Sequence, residues 1–202
     1  MSQQYSARRV LVAITGASGI VYGVRLAETL NSMKMLEAVI YTRSAELVAR
    51  EEMGRSLVDL LGGLDAPVYR DDELDAPYAS SSRIPAGGMA VAPCSTRTLA
   101  AVAHGIADNL VARAALATLR LRRRLVLVVR ETPLGLAEIR NMLLAAENGA
   151  TVLPASPAFY HRPRTIEDMV MFIVGKVLDA LGIEHGLYRR WRLEEPGPLG
   201  GG

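Results

Sequence analysis

The sequence predicts a single α/β domain, a doubly wound parallel sheet with helices on both faces. Three observations carry that prediction. Short apolar runs without strict alternation recur along the 202-residue chain, as strands covered on both faces require. Segments with apolar residues at helical spacing separate them. Glycine-rich or hydroxyl-rich turns follow the runs, which gathers the chemically suggestive segments at one edge of a sheet. Strands alternating with helices pair in parallel through right-handed crossovers.

Residues 10–14 (Val-Leu-Val-Ala-Ile) predict the first strand. Thr15-Gly16-Ala17-Ser18-Gly19 turns the chain, and Ile20, Val24, Ala27 and Leu30 then share one helical face. Residues 38–41 predict a second strand and 44–52 the helix after it. Residues 62–87 are less regular and predict a loop or extended excursion. A third apolar run at 88–92 ends on Pro93-Cys94-Ser95-Thr96, with helices predicted at 98–103 and 109–121. Residues 125–129 (Leu-Val-Leu-Val-Val) predict a strand, 138–147 a helix stopped by Asn148-Gly149, and 151–153 another strand. Thr165-Ile166-Glu167-Asp168 reads as a capping box. Ile166, Met169, Val170, Ile173, Val177, Leu178 and Leu181 continue it as an apolar stripe that Gly182 ends. One domain over residues 1–191 follows, with the proline- and glycine-rich residues 192–202 expected to be a disordered tail.

Composition narrows the function classes. Half of the residues are apolar and 22% are charged, which supports a packed core and excludes wholesale disorder. A formal net charge of +2 gives no basic excess for nucleic acid. The longest uncharged run, residues 10–24, is too short and too interrupted by Gly16 and Gly19 to span a membrane. No secretory signal is read at the start, and the lone Cys94 has no disulfide partner, so a cytoplasmic setting is expected.

Each motif has a chemical and a structural reading. The 15–19 turn offers glycines, a hydroxyl and free helix amides to an anion, or it is an ordinary strand-to-helix turn. Ser95, Thr96 and Thr98 around Arg97 repeat that logic, or they cap a helix. Cys94 reads as a buried small hydrophobe rather than a nucleophile. Arg130-Glu131 ends a buried strand on two charges, which need a partner or a ligand. The arginine suits a phosphate or a flavin carbonyl and the carboxylate suits proton transfer, unless the two form a structural ion pair. Arg113, Arg120, Arg122, Arg123 and Arg124 read by default as solvated helix-end charges, with one or two free to turn toward a phosphate. The proline-pinned loop 154–163 fixes Tyr160 as a donor or as a cover on the core. His104 and His161 have no metal-ligand spacing, so no metal is expected.

Taken together, these residues resemble the flavin prenyltransferase family (UbiX-like proteins). The matching stretches are Thr15–Gly19, Tyr22-Gly23-Val24-Arg25-Leu26, Ala92-Pro93-Cys94-Ser95-Thr96, Asn109-Leu110, Arg113-Ala114-Ala115, residues 125–134, Asn141-Met142-Leu143, Pro154-Ala155, Pro157-Ala158-Phe159-Tyr160-His161 and Arg190-Trp191. The similarity runs over roughly residues 9–191. It implies a flavodoxin-like or Rossmann-like domain that assembles into trimers and dodecamers, binds FMN and needs no metal. It implies transfer of a dimethylallyl group from dimethylallyl phosphate to N5 and C6 of the reduced flavin, the product serving a partner decarboxylase. The FMN contacts it implies are Gly16, Ala17, Ser18, Thr42, Ser95, Thr96, Arg97, Thr98 and Arg130. The substrate pocket it implies holds Arg113, Arg120, Glu131, Tyr160 and Lys176. Ser18, Glu52, Glu131 and Arg120 are the implied catalytic group, Glu131 protonating the departing phosphate and either Glu52 or the phosphate itself accepting the proton lost at C6.

This chain departs from the family at Arg120-Leu121-Arg122-Arg123, where Lys-Glu-Arg-Arg is common, and at Lys176, where arginine is common. Positive charge persists at both, though a fork and a point charge are not interchangeable. Leu74 stands where some members have a bulkier aromatic. The second reading is an FMN-binding accessory or carrier subunit of an aromatic-acid decarboxylase, without transferase activity. A flavin-dependent cysteine decarboxylase is disfavoured because Pro93-Cys94-Ser95-Thr96 occupies the place of its asparagine-containing signature.

Overall fold

The structure is a computed structural model that describes residues 8–191, so the 192–202 tail lies outside the described residues. Six strands form one sheet in the order β3-β2-β1-β4-β5-β6. They are β1 (Val10–Ile14), β2 (Leu36–Tyr41), β3 (Val68–Arg70), β4 (Met89–Cys94), β5 (Leu125–Val129) and β6 (Thr151–Pro154), and every neighbouring pair is parallel. The chain moves outward from β1 to β3 and then crosses back to start β4 on the other side of β1. Right-handed crossovers made in opposite directions place their helices on opposite faces.

The core divides accordingly. Val10, Val12 and Ile14 of β1 pack on α1 (Ile20–Ser32) and on buried residues of α2 (Arg43–Met53) and α3 (Leu57–Leu61). Leu11 and Ala13 pack on the other side with α4 (Thr96–Ala103), α5 (Leu110–Arg120) and Ala145 of α6 (Leu136–Glu147). The last helix, α7 (Ile166–Leu181), joins the α1 side through Val170, Phe172, Ile173, Val174 and Val177. Every residue of β1 is fully buried, which explains why its sequence lacks alternation.

Differences from the sequence prediction concentrate at element ends and in one segment. Leu36 begins β2, Thr96 begins α4 and Leu136 begins α6, each earlier than periodicity suggests. The irregular 62–87 stretch contains the edge strand β3 and two short 3-10 turns at Pro77–Ala79 and Ser81–Arg83. Three half-exposed residues after Pro67 carry no alternation to read, and only pairing with β2 makes them a strand. Pro93 lies inside β4, where the register against β5 shifts between Val91 and Cys94. A bulge is where a residue without an N–H is tolerated in a sheet. Cys94 is fully buried, and burial pushes its thiol up to about 12, consistent with an unreactive side chain.

The helix that follows the first glycine turn lies directly on the central strand. A Cβ at Gly23 would sit 2.1 Å from the Ala92 carbonyl oxygen. Gly23→Ala would add about 1 kcal/mol of helix propensity. The methyl would meet rigid backbone of β4, and overpacking of that kind costs about 1–3 kcal/mol. The expected outcome is a lower urea midpoint. A midpoint equal to or above wild type would show that α1 is free to move off the strand.

Candidate functional site

Loops leave the carboxyl ends of β1 and β4 at the point where strand order reverses, the place where open α/β sheets bind ligands, and the loop after β5 lies one strand further along the same edge. A buried hydroxyl ties the first two together. Thr15 Oγ1 donates to the Pro93 carbonyl at 2.8 Å and accepts from the Ser95 amide at 2.8 Å. Next to it, a Cβ at Gly16 would be 2.3 Å from Ser44 Oγ, so only glycine lets the turn pass the start of α2. Gly19 takes φ 94° as the residue before α1.

The carboxylate of Glu52, on α2, closes the amino end of α1. It accepts from the Gly19 amide at 2.9 Å and from the Ile20 amide at 3.0 Å. A negative group there is favoured by the helix dipole. Ser18 stays exposed beside it. Thr42 is buried and caps α2, its hydroxyl accepting from Ala45 N at 3.1 Å and lying 3.0 Å from Ser44 Oγ.

The 95–98 segment is a helix start whose side chains are mostly engaged. Ser95 Oγ caps α4 by accepting from Thr98 N at 3.3 Å and donates to Thr98 Oγ1 at 3.1 Å. Arg97 pairs with Asp108. What remains for a ligand is the Thr96 hydroxyl and the amides of Thr96 and Arg97, the positions a helix leaves without internal partners.

Arg130 and Glu131 do not pair. Among the described residues neither forms a salt bridge, and Arg130 Nε is buried without a hydrogen-bond partner. Glu131 is exposed and accepts from Thr132 N at 2.9 Å. Both line a pocket of about 330 Å³ with residues 132–134, Met142 and residues 154–156. A guanidinium with a buried, unpartnered Nε and no salt bridge, beside an open cavity, is arranged for an anion or a carbonyl oxygen. Tyr22, on the first turn of α1, was not singled out from the sequence as a site residue. Burial raises its phenol pKa, the nearby Arg130 charge lowers it and Glu52 raises it, so its hydroxyl lies in the field of both groups. Its spacing of three from Gly19 was the available signal.

A second group gathers around α7. Tyr160 stands edge-on to Phe172 at 5.9 Å and to Trp191 at 5.3 Å. Lys176 Nζ lies 5.4 Å from the Phe172 ring centre and 4.9 Å from that of Tyr188. Asp179 anchors the group. Its carboxylate is 3.7 Å from Lys176 Nζ and 3.2 Å from His185 Nε2, and it accepts from Arg190 at 2.8 Å and from the Tyr188 hydroxyl. Burial alone would raise the Asp179 carboxyl, but the bonds from Tyr188 and Arg190 outweigh it and hold the group below its ordinary value. An aromatic wall with an ammonium beside it suits an apolar tail that ends in an anion.

One protomer does not bring all the sequence-derived residues together. Arg113 and Arg120 lie on α5, which packs against the opposite face of the sheet from α7. Arg120 borders a separate pocket with Val102, Leu119 and Asn148, at the end of α5 that leads into the start of β5.

Comparison with known proteins places the chain in a family. The Flavoprotein family model matches residues 1–178. The chain is 46% identical over 186 residues to the flavin prenyltransferase UbiX of Saccharolobus solfataricus, with 92% of each chain covered. It resembles the crystal structure of AnUbiX (PadA1) in complex with FMN and dimethylallyl pyrophosphate, with a TM-score of 0.86, 37% identity and coverage of 93% of this chain and 99% of that one. It also resembles a dodecameric FMN-dependent UbiX-like decarboxylase from Escherichia coli O157:H7, with a TM-score of 0.85, 37% identity and coverage of 91% and 99%.

The Thr15 bridge has a measurable weight. Thr15→Val keeps the shape but removes the donor to Pro93 and leaves the Ser95 amide without its acceptor. A stability loss of about 1–3 kcal/mol is expected for leaving buried groups unmade. Urea unfolding checks it, with Thr15→Ser, which keeps the hydroxyl, expected to lose less. Equal losses in the two variants would assign the effect to packing of the methyl group instead.

Proposed function

From the chain's membership of the flavin prenyltransferase family, within the flavoproteins, we propose that it transfers a dimethylallyl group from dimethylallyl phosphate to N5 and C6 of reduced FMN. The observation that carries this reading is Arg130, whose Nε is buried without a protein partner, beside Glu131 in the pocket between the ends of β5 and β6. Bound and reduced, FMN supplies the nucleophilic ring atoms. The residues present fit a phosphate attached to a flat ring. The Thr96 and Arg97 amides meet the phosphate, and Arg130 meets a phosphate or carbonyl oxygen. Gly16, Ala17 and Ser18 let the ring approach the backbone closely. Thr42, Ser95 and Thr98 contribute by fixing the two helix starts.

Lys176 and Tyr160 hold the phosphate of the substrate, and Tyr160, Phe172 and Trp191 surround its prenyl tail. Cleavage of the allylic C–O bond leaves positive charge on the tail and negative charge on phosphate. The aromatic faces stabilise the first, and Lys176, with Arg113 and Arg120, the second. Glu131 protonates the departing phosphate. Bonding at N5 would release the N5 proton, the double bond of the tail would take up a proton as C6 bonds to it, and Glu52 takes up the proton then lost at C6, after releasing the α1 amides that it holds in this structure. The product passes to a partner decarboxylase, and the protein works in the cytoplasm. Among the described residues no helix is long and apolar enough to cross a membrane.

The working unit is a trimer-based homo-oligomer, a dodecamer in the fullest form, with Arg113 and Arg120 reaching the site from another copy. Their position on the face opposite Tyr160 and Lys176 supports this. So do Leu136, Ile139 and Leu143, which present an exposed apolar stripe on α6.

Two experiments test the reading. Under anaerobic conditions with reduced FMN and dimethylallyl phosphate, mass spectrometry of the released flavin should find a product heavier by one prenyl unit. Glu131→Gln should slow its formation about 10²–10⁴-fold while FMN stays bound. Unmodified flavin from wild-type protein that binds both ligands would establish the accessory or carrier reading instead. For the assembly, Arg120→Ala and Tyr160→Phe are each expected to be impaired, and mixed oligomers of the two should regain activity. No recovery in verified mixed oligomers would mean that each copy builds its site alone.

A further inference from the structure

We propose that the amino-terminal edge of the sheet, opposite the candidate active site, holds a second anion site that binds linked phosphate groups. A pocket of about 350 Å³ lies there, bordered by Arg8, Arg122, Arg123 and Arg124 with walls of glycine, alanine, leucine and isoleucine. Of the four arginines, Arg124 is engaged, its guanidinium donating to the Leu181 carbonyl at the end of α7. Arg8, Arg122 and Arg123 form no salt bridge among the described residues, and Arg123 Nη1 is buried without a hydrogen-bond partner.

The backbone builds this arrangement rather than merely allowing it. Past the end of α5, Arg122 N donates to Leu119 O at 2.8 Å and Arg123 N to Thr118 O at 3.0 Å. Arg122 is held at φ 53°, a left-handed conformation that a non-glycine residue adopts only under constraint. Three consecutive arginines are thereby turned around one helix end. At the facing wall, a Cβ on Gly182 would lie 1.8 Å from Arg124 Nη1, so the α7 terminus approaches the guanidinium as closely as glycine permits.

Charge then selects the ligand. The C-terminal ends of α5 and α7 contribute partial negative charge of about half a unit each. That offsets less than half of the four guanidinium charges, one of which is already hydrogen-bonded. The lining has no carboxylate, hydroxyl or aromatic ring, so guanidinium groups are its only polar side chains. Guanidinium forks read phosphate oxygens bidentately, and three free ones call for more oxygens than a single phosphate presents well. The shared chemistry is a di- or triphosphate, either inorganic or as the tail of a nucleotide.

Calorimetry on FMN-loaded protein at fixed ionic strength tests this, with inorganic pyrophosphate and ADP as separate titrants. Lys176→Ala serves as background to weaken binding at the substrate pocket, and the arginine variants separate the two sites. Saturable binding of both titrants is expected in that background. Adding Arg8→Ala and Arg122→Ala, both at exposed positions, should weaken both about tenfold or more while FMN affinity holds. Similar affinities for pyrophosphate and ADP would support recognition of the phosphates alone. The proposal is overturned by absence of saturable binding in the Lys176→Ala background, by undiminished affinity in the added arginine variants, or by binding of ADP without pyrophosphate. Arg123→Gln, which removes the buried Nη1, should also weaken both titrants, and unchanged affinity there would overturn the proposal; circular dichroism verifies the fold of each variant.

Discussion

The buried hydroxyl of Thr15 is the contact on which the candidate site depends, because it joins the loops after β1 and β4 where the sheet changes direction. Without it the Ser95 amide would lose its acceptor and the Pro93 carbonyl would keep only the Thr15 amide, at 3.2 Å. Pairing both through one hydroxyl sets the spacing between the glycine turn and the start of α4. The two helix amino ends on either side therefore point into the same crevice. Gly16 and Gly23 allow the helices to close onto this bridge, the first against Ser44 and the second against the Ala92 carbonyl.

Around that frame, the arginines sort by whether they have a partner. Arg97 meets Asp108, Arg70 meets Asp72 and Arg25 meets Glu28 and Glu167. Such exposed pairs contribute little to stability, typically 0–1 kcal/mol, and they place the side chain rather than prepare it for a ligand. Arg130 is different because its Nε is buried and has no protein acceptor. A buried N–H without an acceptor is unfavourable until an anion or carbonyl reaches it, so the folded protein holds a preference for such a ligand before one arrives. Glu52 supplies the converse at the same edge, a carboxylate resting on amides that a ligand oxygen is equally able to use.

The α7 cluster adds a division of labour within the protomer. Asp179 collects Tyr188, Arg190, His185 and Lys176, which fixes the ammonium against aromatic rings without burying it in an ion pair of short distance. Lys176 thus keeps directional freedom toward a ligand while its stem is held. The cluster lies on the α1 side of the sheet, and α5 packs on the other side. An exposed row of Leu136, Ile139 and Leu143 on α6 is compatible with a protein whose finished surface is made in an assembly.

The parallel α/β class, the main strands and the positions of the glycine and hydroxyl turns were legible in the sequence, because buried strands and helical stripes are local patterns of side chains. Resemblance extended the reading to Glu52 and Lys176, whose individual surroundings in sequence carry no signal. Tertiary structure alone decided that β3 is a strand, since three residues gain that status from pairing with β2. It alone showed Arg130 and Glu131 standing apart, Tyr22 lying in the field of both Arg130 and Glu52, and Arg113 and Arg120 packing away from the residues they were grouped with. The physical reason is distance along the chain. Glu52 closes a helix 33 residues before it and Thr15 meets an amide 80 residues after it, and no local periodicity records contacts of that range.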